Sequence, residues 1–272
     1  MSRDLRIQHD VETKPMHGWR LVCVLSMVLF PLGSWAGIGL AMESDISEVE
    51  KGSPTQIEDA YPLAYKELDV EGLFRYERMS HENRYVFNPR LEYGFAPNWQ
   101  GRLTAQLFTG TADVRESGNL QAEILRSFTT ERRWIPALAV SVVGDFPTGH
   151  AARGIDTTLK MLASKSLGVS IARPQAHVNV TWTHHGGRAA VERPDFYGVV
   201  VGYSRLLTEQ MMIVADYFHQ QLPVAGRTED VIELGFRHAL FKTTVIALGA
   251  GYGLNNDSRD LHVQTSIEVT FR

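Results

Sequence analysis

Leu261, Val263, Thr265, Ile267, Val269 and Phe271 take every second place in the last twelve residues, with His262, Gln264, Ser266, Glu268, Thr270 and Arg272 between them. Side chains on a strand point alternately to its two faces, so this segment reads as a β-strand with one face in an apolar medium and the other among polar groups. The same alternation recurs along most of the chain. A soluble sandwich or a lipocalin-like barrel also alternates. Neither, however, would present an apolar face on nearly every strand while filling its core with Asp, Glu and Arg. The pattern predicts an all-β fold, a transmembrane antiparallel up-and-down β-barrel of about twelve strands in the bacterial outer membrane, in contact with outer-membrane lipid.

The beginning of the chain agrees with export. Leu21 to Leu32 is an apolar run preceded by His17 and Arg20 and followed by Gly33, Ser34, Trp35, Ala36 and Gly37. At about a dozen residues it is too short for a helix to cross a bilayer of roughly 30 Å. Residues 1–41 therefore read as a signal peptide, cleaved after Ala36 or after Ala41, with Met16 as an alternative start. Cys23, the sole cysteine, falls inside this run without the small preceding residue of a lipoprotein site. The mature chain is thus expected to lack disulfides, thiol catalysis and cysteine-based metal sites. A formal net charge of -4 leaves no basic footprint for nucleic acid.

Residues 42–66 form a zone of their own. Glu43, Asp45, Glu48, Glu50, Glu58 and Asp59 make it acidic, and Gly52, Ser53 and Pro54 interrupt any helix. It is either a periplasmic leader or a plug tucked into the barrel mouth. The barrel itself is assigned to residues 67–272, with strands over about 67–78, 86–95, 100–109, 118–130, 136–146, 156–165, 174–184, 195–206, 210–221, 229–240, 243–254 and 261–272. The fourth loses phase at Leu125 and Arg126, which suggests a bulge. With both termini periplasmic, even-numbered connections should be tight and odd-numbered ones long. Segments 96–99, 131–135, 207–209 and 241–242 meet that rule, whereas 165–173 is longer than it allows. Aromatics near strand ends, such as Trp99, Trp182, Tyr197, Tyr252 and Phe271, fit interfacial girdles.

On this register the lumen holds Glu71, Arg75, Arg90, Glu92, Arg102, Asp145, Lys160, Asp216, Glu233, Arg237 and Glu268. Both signs are present. They either brace and solvate the barrel or form a constriction that a solute must pass. Inward glycines on the eighth and eleventh strands leave room for a pathway, or for large neighbours such as Phe108 and Phe218. Gly249-Ala250-Gly251-Tyr252-Gly253 resembles a phosphate loop in letters alone, since no helix follows it. His150, His184, His185 and His219 lack ligand spacing, and no metal or other cofactor is expected. A wall hydrolase needs serine and histidine at one depth facing lipid. His238 faces outward without an evident serine, so no catalytic residue is assigned and the chain is not expected to be an enzyme.

Ile57-Glu58-Asp59-Ala60-Tyr61-Pro62 before the first strand and Gly144-Asp145-Phe146-Pro147-Thr148-Gly149 later in the chain resemble the outer-membrane β-barrel family of phenol-degradation meta-pathway transporters. The resemblance extends over roughly residues 57–272. It implies a channel for passive uptake of small, aromatic or hydrophobic compounds, with a small-molecule solute and the barrel-assembly machinery, met through the C-terminal strand, as partners. Arg272 departs from the pattern, because such barrels more often end on the aromatic itself. The alternatives are a structural barrel with an occluded lumen and an outer-membrane hydrolase.

Overall fold

The computed structural model describes residues 46, 49–112, 115–188 and 191–272. The signal peptide expected over 1–41, with Cys23 and the first acidic residues Glu43 and Asp45, lies outside the described residues. Twelve strands follow one another: β1 (Leu68–Met79), β2 (Glu82–Ala96), β3 (Trp99–Gly110), β4 (Asn119–Thr129), β5 (Ala137–Phe146), β6 (Asp156–Ser166), β7 (Gln175–His184), β8 (Asp195–Thr208), β9 (Met211–Gln221), β10 (Thr228–Phe241), β11 (Thr244–Gly253) and β12 (Leu261–Phe271). Each pairs antiparallel with its neighbours in the sequence, and β1 pairs with β12 from Leu68↔Phe271 to Arg78↔Leu261. The cylinder is closed. At the seam Arg272 reaches Glu67, so the residue that departs from an aromatic terminus fastens the start and the end of the barrel together.

Alternation decides which face meets which medium. Val70, Phe74, Leu91, Leu103, Ile124, Val142, Met161, Val180, Val201, Leu234, Leu248, Val263 and Ile267 point outward and are exposed. A continuous apolar belt of this kind is unfavourable in water and stable against lipid tails, and closure leaves no strand edge unpaired in hydrocarbon. The molecule is a transmembrane β-barrel of the outer-membrane type. Phe95, Phe128, Phe241 and Phe271 lie near the end where the chain enters β1, and Tyr85, Trp182, Tyr197 and Tyr252 near the other. These are the positions of two interfacial girdles.

Two local readings need correction. β2 begins at Glu82, not near residue 86, so the first connection is the two-residue turn Ser80–His81. Glu82-Asn83-Arg84-Tyr85 shows no apolar alternation, yet the ladder continues to Met79↔Glu82. It is held by Tyr76 Oη donating to Asn83 Oδ1 at 2.6 Å, the Arg84–Glu77 ion pair and the Tyr76–Tyr85 ring contact. The expected bulge at Leu125 and Arg126 is absent. Leu125 keeps phase and points inward, and the irregularity comes later, between Ser127 and Thr129. An inward leucine looked out of phase because the interior is not polar throughout: Leu125 packs with Ala60, Ala137, Ala139 and Leu162.

Leu248, outward at the middle of β11, offers a test of the belt. Leu248→Arg should lower the stability of the folded barrel in vesicles by about 2–4 kcal/mol, read from denaturant titration, as expected for a cation near the bilayer midplane.

Candidate functional site

The interior is occupied by the chain itself. Residues 49–63 lie within the cylinder, and their backbone is held by side chains projecting from the wall. Gln56 N–H donates to Glu233 Oε2 at 2.6 Å and Ile57 N–H to Asp216 Oδ2 at 3.0 Å. Glu58 N–H donates to Asn179 Oδ1 at 2.9 Å, Ala60 N–H to Ser164 Oγ at 3.0 Å, and Leu63 N–H to Gln100 Oε1 at 2.9 Å. These acceptors stand on β10, β9, β7, β6 and β3, so the segment crosses the wall strands one after another. Going back along the chain, the Pro54 carbonyl accepts from Gln264, Ser53 meets Ser266 and Arg237, and Arg90 donates to the Lys51 carbonyl at 2.8 Å. Residues 49 and 59 then close the circuit. Asp59 N–H donates to the Val49 carbonyl, and Val49 N–H to Asp59 Oδ2, both at 2.9 Å. The result is a ring of chain, residues 49–59, lying across the bore.

Several inward glycines are the imprint of this ring. A Cβ on Gly249 would overlap the Pro54 carbonyl, one on Gly235 the Pro54 ring, and one on Gly202 the Ile57 side chain. The room at Gly202 on β8 and Gly249 on β11 therefore takes residues 57 and 54, whereas Gly198 lies against Thr181 and Gly251 against His262. Apolar contacts complete the fit. Val49 and Ile57 are fully buried and pack with Ile46, Met212 and Val214.

The structure points every charged residue expected in the lumen inward, and it sorts them into separate groups. Arg102 is the hub of the largest: it contacts Glu50 and lies 2.7 Å from Glu58, 2.9 Å from Glu92 and 3.0 Å from Glu123. Lys160 joins it through Glu58 and, at 2.6 Å, Glu123. Arg90 pairs with Glu71 at 2.8 Å beside this group. Arg237 pairs with Glu268 at 3.1 Å, while Glu233 meets both His262 at 2.5 Å and the ring. Arg75 belongs elsewhere. It sits nearer the long-connection end on Glu77, which also takes Arg84 and Arg259. Asp145 is apart again, accepting from Gln106, Asn119 and Gln121.

Glu123, Asn179, Ser164, Gln100 and Gln264 contribute as much to this site as the charges named from sequence. Ser164 and Gln264 share the inward parity of Lys160 and Glu268 on their strands, and Asn179 that of His177 on β7, so parity was the signal. Glu123 was obscured because Leu125, at the same parity, looked like a break. The histidines do not converge: His184 pairs with Asp195, His185 with Asp156 and Glu192, and His219 with Asp230. His238 is flanked across the ladder by Met211 and Ile246, neither of them a serine. His177, inside, links Ser164 at 3.0 Å and Ser204 at 2.9 Å beneath Ala60.

No protein-family model and no curated protein sequence matches the chain. Among solved structures it is similar to an outer-membrane channel from Pseudomonas putida F1, at 12% identity and a TM-score of 0.61 over 82% of this chain and 100% of that one. It is also similar to the KdgM porin (7% identity, TM-score 0.52, 75% of this chain and 99% of that one). The NanC porin aligns over the same shares at 11% identity and a TM-score of 0.51. What is common to them is the outer-membrane β-barrel fold.

Two outcomes follow from the packing. Gly249→Val should dislodge the ring while the outward belt and ladder stay intact, seen as new protease cleavage within residues 49–66 of a barrel that still migrates as folded. The second concerns Glu131, in the turn after β4, which accepts from Tyr61 Oη at 3.1 Å, Lys165 Nζ at 2.6 Å and Ser166. Partial burial alone would raise its carboxyl; the hydrogen bonds from Lys165, Ser166 and Tyr61 outweigh this and hold it at about 2. A carboxyl lower in the folded state than in the free one stabilises above the free value and stops doing so as pH falls through the folded value. The Tyr61 tether should hold at pH 5 and slacken between about pH 4.5 and pH 2, with faster amide exchange at Ala60 and Leu63 as the readout. Glu131→Gln should exchange faster already at pH 5.

Proposed function

We propose that this protein is an outer-membrane channel admitting small solutes without energy input, and that residues 49–63 close its bore until they withdraw. The observation that carries this reading is the way the ring is held. It adds no strand to the wall, whose ladder is complete all round without it, and the wall grips it through side chains. Its withdrawal leaves the barrel closed. The charged side chains then facing the bore, Glu71, Arg90, Glu92, Arg102, Lys160, Asp216, Glu233, Arg237 and Glu268, form the constriction.

The resemblance of Ile57–Pro62 and Gly144–Gly149 to the phenol-degradation meta-pathway transporters supports small aromatic or hydrophobic compounds as the solutes. The similar Pseudomonas putida F1 structure is itself described as a channel. β12, with its unbroken alternation, is the segment offered to the barrel-assembly machinery. The rival is a structural barrel whose lumen stays filled.

Ser53 Oγ and Ser266 Oγ lie 2.6 Å apart, one on the ring and one on the wall, and the native chain has a single cysteine, Cys23. In planar bilayers the Ser53→Cys/Ser266→Cys protein should be silent when oxidised and conduct after reduction, with wild type insensitive to the reductant. Silence of wild type and of the reduced pair alike would make the ring a permanent filling and overturn the channel reading.

A further inference from the structure

We infer that the wall site formed by Arg102, Lys160 and Asn179 is a binding site for a small carboxylate solute, and that Glu58 of the ring occupies it as a built-in mimic. The inference rests on the channel reading and deepens it by naming a class of solute. Glu58 is read at three points. Its Oε1 accepts from Arg102 Nη1 at 2.7 Å, its Oε2 accepts from Lys160, and its backbone amide pairs with one side chain. In that pair Asn179 accepts the Glu58 N–H at 2.9 Å and donates to its carbonyl at 2.7 Å. A carboxylate with both oxygens taken by cations is the strong, charge-assisted form of recognition. The asparagine adds a demand for a donor and an acceptor a few bonds away.

The three wall residues stand on different strands, β3, β6 and β7, each fixed by ladder pairing on both sides. Their spacing is a property of the barrel and not of the ring. Glu123 contacts both Arg102 and Lys160 from β4 and holds them beside one another. A cavity runs from this clamp toward the long-connection end, lined by Lys160, Asn179, Thr181, Gly198, Phe218 and Gln220 and by Glu58 itself. The carboxylate mimic therefore stands at the edge of this cavity, which Lys51 and Gln56 of the ring also line and where Phe218 offers an apolar surface. A solute acid that takes over both cations removes the ring's strongest charged tether to β3 and β6. Binding and unplugging are then one exchange reaction, carboxylate for carboxylate, with no net change of charge at the clamp.

The test uses full-length protein in detergent and a probe that copies Glu58, N-acetyl-L-glutamic acid α-amide, with N-acetyl-L-glutamine α-amide as its neutral counterpart. Glu58→Ala should bind the acid, by calorimetry, at least tenfold more tightly than wild type does, and at least tenfold more tightly than it binds the neutral compound. Adding Lys160→Gln should abolish that preference, and Asn179→Ala should weaken binding of the acid. Equal binding of the two compounds by Glu58→Ala, or binding of neither by a protein that migrates as a folded barrel, would overturn the inference. The channel reading fails separately: a reduced Ser53→Cys/Ser266→Cys protein that binds the acid but never conducts sinks that reading and not this site.

Discussion

A chain crossing hydrocarbon must pair every backbone N–H and C=O within itself, because no water is there to receive them. In this protein that demand is met by the β1–β12 seam, which turns a row of eleven hairpin pairings into a cylinder without edges. Closure fixes the rest. With the ladder continuous, every strand has one face on lipid and one on the bore, and alternation becomes obligatory along each of them. Away from the strand ends the charged residues are then turned to the inside, where they are desolvated together and must find partners.

The partners come partly from the N-terminal segment. Arg102 faces Glu92 and Glu123 on neighbouring strands, and Glu50 and Glu58 from the ring complete its shell. Asp216 and Glu233, adjacent across β9 and β10, would face one another as two acids. The backbone N–H groups of Ile57 and Gln56 lie between them and the lumen and give each a donor. The ring thus satisfies polar groups of a wall whose own hydrogen-bond ladder is already complete.

Much of this was legible in the sequence, and the illegible part has a physical cause. Strand count, closure and the inward direction of Lys160, Asp216, Glu233 and Glu268 follow from a period of two, which any alternating segment displays. Two places misled where the period carried no contrast: Glu82–Tyr85, polar on both faces, and Leu125, apolar on the inner one. Partnership is a different matter. Parity says that Arg102 points inward, but which carboxylates surround it depends on register around the circumference and on a segment without periodicity, residues 49–63. The glycines gave the clearest sign of the ring, although they read equally as room for a pathway. Gly202, Gly235 and Gly249 are inward, and bare backbone on a lumen wall marks a close approach by other chain.

Those glycines also describe the bore without the ring. They lie on β8, β10 and β11, and at these three positions the wall presents only backbone. The charges of the Arg102 group lie on β2, β3, β4 and β6, facing that side. A passage emptied by withdrawal of residues 49–63 is therefore two-sided, with the Arg102 group on one flank and, on the other, glycine hollows set among Asp216, Glu233 and Arg237. A solute acid can place its carboxylate on the clamp and its body in the glycine hollows opposite. A wholly apolar solute would leave the charges of both flanks unpaired. The same asymmetry explains how the ring is built: its carboxylates, Glu50 and Glu58, turn to the Arg102 flank, while Pro54 and Ile57 fill the glycine side.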